Sequence, residues 1–251
     1  MKKLLELAIR ASEAACKAIL SVYDSGDFQT EFKGDNSPLT RADKKAHDRI
    51  VSILQPSNLP VLSEEGINIS YDERKNWQQF WMVDPLDGTK EFLKRNGEFT
   101  VNIALIENQK PVLGVVAVPV TGDVFYAEQG LGANVKRMGR VDFLSKRLSL
   151  DITKSGIRVV ASRSHMNADT ETYIQSLRKP VLVSQGSSLK FMLLAEGKAD
   201  VYPRFAPTME WDTAAAHAIV SEVGFSVLQK DTNIPLLYNK PDLLNPSFIC
   251  Q

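Results

Sequence analysis

The feature that most constrains the fold is a change in the period of the apolar residues along the chain. Residues 3 to about 23 place Leu5, Ile9, Ser12, Cys16, Ile19 and Tyr23 at steps of three and four, with charges mostly on the other side, as in an amphipathic helix. A polar segment, DSGDFQTEFKGDNSP, leads to a second helical stretch that starts near Thr40 and places Ala46, Ile50, Ile53 and Leu54 on one face. From LPVLSEEG onward the period shortens. FWMVD, FTVNIALIE, VLGVVAVPV and DVFYAEQG are apolar or alternating runs broken by glycine and proline, which read as strands of a meander. The rest resumes with IRVVASRSH and then alternates: helix TETYIQSLRK, strand PVLVSQ, helix SSLKFMLLAEG, strand ADVYPRF and helix WDTAAAHAIVSEVG. The expected fold class is α/β of a layered α+β kind, with an antiparallel meander in the first half and a second αβ half. The expected subdomains are 1–145 and 146–251, packed as one unit because no linker, repeat or composition break separates them.

With 43% hydrophobic residues among 251, the chain has ample material for a core. Lysine plus arginine and aspartate plus glutamate number 30 each, so no overall field draws the chain to a nucleic-acid polymer or a membrane surface. Any charged partner is met locally. In MKKLLELAIRASEAAC, Glu6, Arg10 and Glu13 interrupt every apolar run, which reads as the start of a soluble helix rather than a signal peptide or a transmembrane segment. Cys16 and Cys250 have no spacing suited to zinc or redox chemistry, and two cysteines in so long a chain suggest a reducing compartment.

The stretch WMVDPLDGTKEF raises the question of function. Asp84 precedes Pro85 and is pushed toward extended geometry at the end of an apolar strand. Asp87 and Gly88 then read as a turn, with Thr89 capping a helix that runs through KEFLKRN to Gly97. Two carboxylates beside a helix start suit Mg2+, which takes carboxylate, carbonyl and water oxygens together with a substrate phosphate. The free N–H groups of Gly88 and Thr89 suit the phosphate itself. A plain structural turn uses the same residues.

Other acids bear on the choice. Glu64 and Glu65 end another strand, although a glutamate pair is usually a solvated loop. Asp43 stands three residues after Thr40 in the spacing of a capping box, and Asp212 in EWDTAAAH reads as the N-cap of an alanine-rich helix. Capping accounts for both, but not for acids at the strand ends and helix starts of four segments in a chain of balanced charge. His47 and His217 fall on helices and His165 in a loop, with no zinc spacing among them. GLGAN lacks a Walker lysine and a dinucleotide fingerprint and reads as a turn.

SEE, DPLDGT and WDTAA, in this order and at these separations, resemble the magnesium-dependent, lithium-sensitive phosphatases of the inositol monophosphatase family. The longer strings SPLTRAD, DPLDGTKEF, NGEFTVNIALI, SRSH and YNKPDLLNPSF are most similar to its 3'(2'),5'-bisphosphate nucleotidase branch. The resemblance implies a sugar-phosphatase-like fold of alternating helix and sheet layers. It implies Mg2+, two or three ions, on Glu64, Asp84, the Leu86 carbonyl, Asp87 and Asp212. It implies that Asp43 and Thr89 orient and activate the attacking water. It implies that His165, Ser187, Lys190 and Arg204 contact the adenine nucleotide and its second phosphate. The substrate so implied is adenosine 3',5'-bisphosphate, with 3'-phosphoadenylyl sulfate as a related one, and lithium inhibition is expected. A cytoplasmic location is expected, with peripheral attachment to the inner membrane left open, and the assembly is a monomer or homodimer. The alternatives are an inositol or sugar monophosphate phosphatase, a non-catalytic metal or nucleotide binder, and a structural protein whose acids are all caps.

Overall fold

The computed structural model describes residues 1–32, 38–147, 150–161 and 166–251. In chain order the elements of the first half are α1 (Lys2–Ser25), β1 (Glu31–Phe32), β2 (Pro38–Leu39), α2 (Arg41–Leu54), β3 (Val61–Ser63), α3 (Tyr71–Arg74), β4 (Gln79–Asp87), α4 (Thr89–Leu93), β5 (Thr100–Glu107), β6 (Lys110–Ala117), β7 (Val124–Glu128), β8 (Ala133–Arg137) and β9 (Arg140–Phe143). There follow β10 (Arg158–Ala161), α5 (Ala168–Ser176), β11 (Val181–Ser184), α6 (Leu189–Ala195), β12 (Tyr202–Arg204), α7 (Glu210–Glu222), β13 (Val227–Gln229) and β14 (Phe248–Cys250). Strands β3 to β9 form one seven-stranded sheet in sequence order. It is antiparallel throughout except for the parallel β3–β4 pair. A parallel β10–β11 pair and an antiparallel β12–β14–β13 sheet complete a mixed α/β architecture.

Alternation along the central strands builds two layers of core, one on each face of the sheet. Trp81, Val83, Ile103, Leu105 and Val115 face α1 and α2, whereas Phe80, Met82, Ala104, Ile106 and Val116 face α6 and α7. The buried line of α1 is Ala8, Ala11, Ser12, Ala15, Ile19 and Val22, rotated from the stripe that the larger side chains suggest. Leu5, Ile9, Cys16 and Tyr23 are only partly buried and pack beside that line. Alanines at 8, 11 and 15 let α1 approach α2, which offers Ala42 and Ala46 in return. A small side chain at the seam permits closer contact than a bulky one.

The helix α7 lies on the opposite face, and Gly114 of β6 is what admits it. A Cβ at Gly114 would stand 2.1 Å from the carbonyl oxygen of Ala215, so backbone meets backbone there. The first turn of α7 is fixed from a distant segment. Glu210, fully buried, accepts from the Asn239 N–H at 2.5 Å and from the Lys240 N–H and ammonium. Arg74 in turn donates to Asn239 Oδ1 at 2.8 Å and to the Pro241 carbonyl at 2.9 Å. Asn245 Nδ2 donates to the Met209 carbonyl at 2.8 Å and to Thr213 Oγ1 at 3.1 Å.

Two local expectations are corrected. The helix expected from Thr89 to Gly97 stops at Leu93, and Arg95 already has φ 57°. Its N-cap is Gly88, at φ 95°, while Thr89 is its first helical residue. So short a helix has little intrinsic stability. It is held by Phe92, fully buried against Tyr23, Phe28 and Phe99 with ring centroids 5.0–5.3 Å apart. The helix expected to start at Asp212 starts at Glu210, with Met209 as N-cap; Asp212 reaches back from the third position to the Met209 N–H at 2.8 Å. Thr40 and Asp43 do form the expected capping box of α2.

Candidate active site

The turn expected at Asp87–Gly88 is preceded by a feature that periodicity conceals. Strand β4 continues through Asp87, with Asp84 opposite Asn102 and Asp87 opposite Thr100 on β5. Between those pairs β4 has Pro85 and Leu86, whereas β5 has only Val101, so β4 carries one extra residue as a bulge. Residues three apart on a regular strand point to opposite faces. Asn102 and Thr100, two apart, share a face, and the bulge brings Asp84 and Asp87 onto that face with them. Pro85 fits here because a bulge leaves a residue outside the ladder.

Asp84 and Asp87 line a cavity of about 380 Å³ together with Glu64, Asp212, Lys190 and Arg204. Glu64 enters from the end of β3, where its N–H donates to the Val83 carbonyl at 3.1 Å, and Asp212 enters from the first turn of α7. Burial pushes the Asp84 carboxyl well above the usual range, and Glu64, Asp87 and Asp212 raise it further. The Asp212 carboxyl is pushed up to about 8 by burial, then by Asp87 and Glu64. Such mutual elevation marks like charges gathered without enough cationic side chains to balance them.

The chemistry of this donor set fits a hard divalent cation. Asp84 Oδ1 accepts from the Leu86 N–H at 3.0 Å, Asp212 Oδ2 from Met209, and Asp87 Oδ2 from the Ser188 N–H at 2.7 Å and the Ser187 hydroxyl at 2.8 Å. In each aspartate one oxygen is fixed by the protein, and the other makes no hydrogen bond to a described residue. No three His, Cys, Asp or Glu side chains among the described residues form a ready-made ligand cluster. The carboxylates are instead spread along the cavity wall, an arrangement that suits Mg2+ because that ion keeps several waters.

Thr89 and Asp43 meet at the edge of this wall. Thr89 Oγ1 lies 3.2 Å from Asp43 Oδ1 and 3.3 Å from the Leu86 carbonyl. The other oxygen of Asp43 accepts from the Thr40 N–H at 2.7 Å and the Thr40 hydroxyl at 2.5 Å. Asp43 is only 1% exposed. Burial raises its pKa, which the Thr40 hydrogen bonds partly offset. Thr89 lines the cavity and Asp43 stands behind it. Asp43 is therefore both a helix cap and the partner of a cavity hydroxyl.

The same cavity has a basic edge. Lys190 is 9% exposed, and its ammonium donates to the Ser187 carbonyl at 2.9 Å. Burial lowers its pKa, against the pull of Asp87. Arg204 donates from Nη2 to the Pro207 carbonyl at 3.0 Å, and its Nε is a buried donor without a partner among the described residues. Phe191, Tyr202 and Phe248 also line the cavity. Ser187, at φ 52°, turns its hydroxyl to Asp87 Oδ2 and lies 2.5 Å from Thr100 Oγ1. His165, with the SRS before it, lies outside the described residues.

Sequence reasoning missed Thr100, Asn102 and Ser188. Asn102 Nδ2 donates to Ser188 Oγ at 3.0 Å and lies 3.3 Å from Asp87 Oδ2. A polar pair two apart inside FTVNIALIE was a usable signal, because a buried face of a central strand seldom carries uncompensated polar groups. Ser188 gave no such signal in a serine pair at a helix start.

Comparison with known proteins follows the same outline. The 3'(2'),5'-bisphosphate nucleotidase CysQ of Escherichia coli is 43% identical over 249 residues, covering 98% of both chains. The protein of that name from Salmonella typhimurium is 44% identical over 248 residues, again covering 98% of both. The crystal structure of CysQ from Bacteroides thetaiotaomicron superposes with a TM-score of 0.86 at 48% identity, covering 98% of this chain and 96% of that one. The model of the inositol monophosphatase family matches residues 1–251, and the chain belongs to that family.

Proposed function

We propose that this chain is a magnesium-dependent 3'(2'),5'-bisphosphate nucleotidase that hydrolyses adenosine 3',5'-bisphosphate to AMP and phosphate. The observation that carries the reading is one cavity lined both by Glu64, Asp84, Asp87 and Asp212 and by Lys190 and Arg204. A monophosphate needs only the acidic wall with its metal. A second phosphate gives the basic edge a partner.

Glu64, Asp84, Asp87, Asp212 and the Leu86 carbonyl would hold Mg2+. When bound, Mg2+ supplies positive charge that offsets the phosphoryl oxygens and makes water more acidic. Thr89 donates its hydroxyl proton toward Asp43 and thereby presents its lone pairs to the attacking water, which it orients. Asp43, buried and capped, holds Thr89 in that direction and draws the water's proton through it. The N–H groups of Gly88 and Thr89 hold the 3'-phosphate. Lys190 and Arg204 hold the 5'-phosphate, Arg204 with the planar fork that suits phosphate oxygens. Residues 1–145 and 146–251 act as one unit, because the acids come from both.

Phosphate release in Mg2+ from adenosine 3',5'-bisphosphate and from inositol 1-phosphate tests the reading directly. The bisphosphate is expected to give the higher kcat/KM. In the Lys190→Ala, Arg204→Ala double variant, KM should rise much more for the bisphosphate than for a simple monoester. A preference for inositol 1-phosphate, or equal changes for both substrates, overturns the assignment.

A further inference from the structure

The acidic wall is built from two distant parts of the chain, Asp87 on β4 and Asp212 on α7, and one side chain bonds to both. Ser188, at the N-cap of α6, is 2% exposed. Its N–H and its hydroxyl both reach Asp87 Oδ2, at 2.7 Å and 2.9 Å, and the same hydroxyl lies 2.9 Å from the main-chain carbonyl of Asp212. Asn102, buried on β5, donates to that hydroxyl at 3.0 Å. With one lone pair engaged by Asn102, the single hydroxyl proton of Ser188 faces two acceptors at equal distance. Ser188 thereby ties the end of β4 to the first turn of α7.

We infer that Ser188 is a positioning residue: it sets Asp87 and Asp212 at the separation from which both can share a divalent cation. This rests on the metal-binding part of the reading above. Asp87 is held through Oδ2 and so presents Oδ1 to the cavity. The hold on the Asp212 carbonyl fixes the turn whose third residue is Asp212 itself. Residues that orient ligands in this way change metal affinity by about 10- to 100-fold when replaced, without contacting metal or substrate.

The test is Ser188→Ala, read by calorimetric titration with MgCl2 and by melting temperature without and with Mg2+. The expected result is a 10- to 100-fold weaker Mg2+ affinity and a smaller Mg2+-induced rise in melting temperature. Turnover of adenosine 3',5'-bisphosphate should recover to within a few-fold at saturating Mg2+. A lower metal-free melting temperature with unchanged Mg2+ affinity overturns the inference, since a purely structural role gives that pattern. If Ser188→Ala does not fold, Ser188→Cys keeps the volume with a weaker donor; it should also weaken Mg2+ binding, and wild-type affinity in that variant overturns the inference. Wild-type protein that binds Mg2+ but releases no phosphate from the bisphosphate defeats the substrate assignment and leaves Ser188 to be judged by metal affinity.

Discussion

At the scale of single residues, Asp43 shows how a helix cap and a contact with a cavity hydroxyl share one side chain. One oxygen closes the capping box with Thr40 and the other meets Thr89. Sequence spacing pointed to the cap, and the family resemblance pointed to the water. Each reading describes a different oxygen of the same carboxylate. Asp43→Asn keeps an acceptor for the cap but removes the charge behind Thr89. The expected cost in stability is about 1 kcal/mol or less, while turnover should fall about 10²- to 10⁴-fold. Thermal melts alongside phosphate-release assays separate the two; full activity with lost stability would reduce Asp43 to a cap. Thr89, expected as a cap, is instead the first residue of α4. The cap position belongs to Gly88, which takes the left-handed conformation that suits glycine.

At the scale of elements, strands and long helices were legible because their periods extend over many residues, whereas α4 was overextended. KEFLKRN has good helix formers, yet Arg95 turns left-handed, stacks over Tyr23 at 4.5 Å and donates to the Tyr23 carbonyl at 2.7 Å. Tertiary contacts outweigh propensity in so short a segment. The packing of α7 was not legible either, because a glycine in VLGVVAVPV signals only a weakened strand until its neighbour is known. Gly114→Ala tests how closely the site depends on that packing. Its Cβ would meet the Ala215 carbonyl at 2.1 Å, so α7 must move. Overpacking of this kind costs about 1–3 kcal/mol. Because Asp212 travels with α7, denaturant unfolding should show the lost stability and the Mg2+ requirement for half-maximal activity should rise with it. A stability loss with an unchanged Mg2+ requirement would mean that Asp212 is held independently of α7.

At the scale of the whole molecule, the two regions foreseen at 1–145 and 146–251 share a core, with α6 and α7 completing the cluster that covers one face of the large sheet. No helix of the described residues is long and apolar enough to cross a membrane. Within the shared core lies His217, whose Nδ1 is 2.9 Å from the Tyr238 hydroxyl. Burial lowers its pKa from 6.5 to about 4. The unfolded chain therefore takes up a proton near pH 6.5, but the folded one does so only near pH 4. This contribution to stability is complete above pH 6.5 and declines as pH falls toward 4, by up to about 3 kcal/mol. The raised carboxyls of Asp84 and Asp212 act in the opposite sense, since their folded form holds protons more tightly. Urea unfolding at pH 7.5 and pH 5 isolates the histidine: His217→Gln should lose less stability between those conditions than the wild type. An identical loss in both proteins would assign the acid sensitivity elsewhere.

The bulge in β4 changes what tolerance to mutation means at this site. Asp84 and Asp87, three apart, share a face because β4 carries one residue more than β5 between them, whichever residues those are. Substitution at Pro85 leaves that number intact. Removal of one residue between the aspartates leaves them two apart on a regular strand, still on one face, but takes out the bulge that sets the Leu86 carbonyl 3.3 Å from the Thr89 hydroxyl. The site is thus encoded partly as a length, a property that residue-by-residue replacement does not probe.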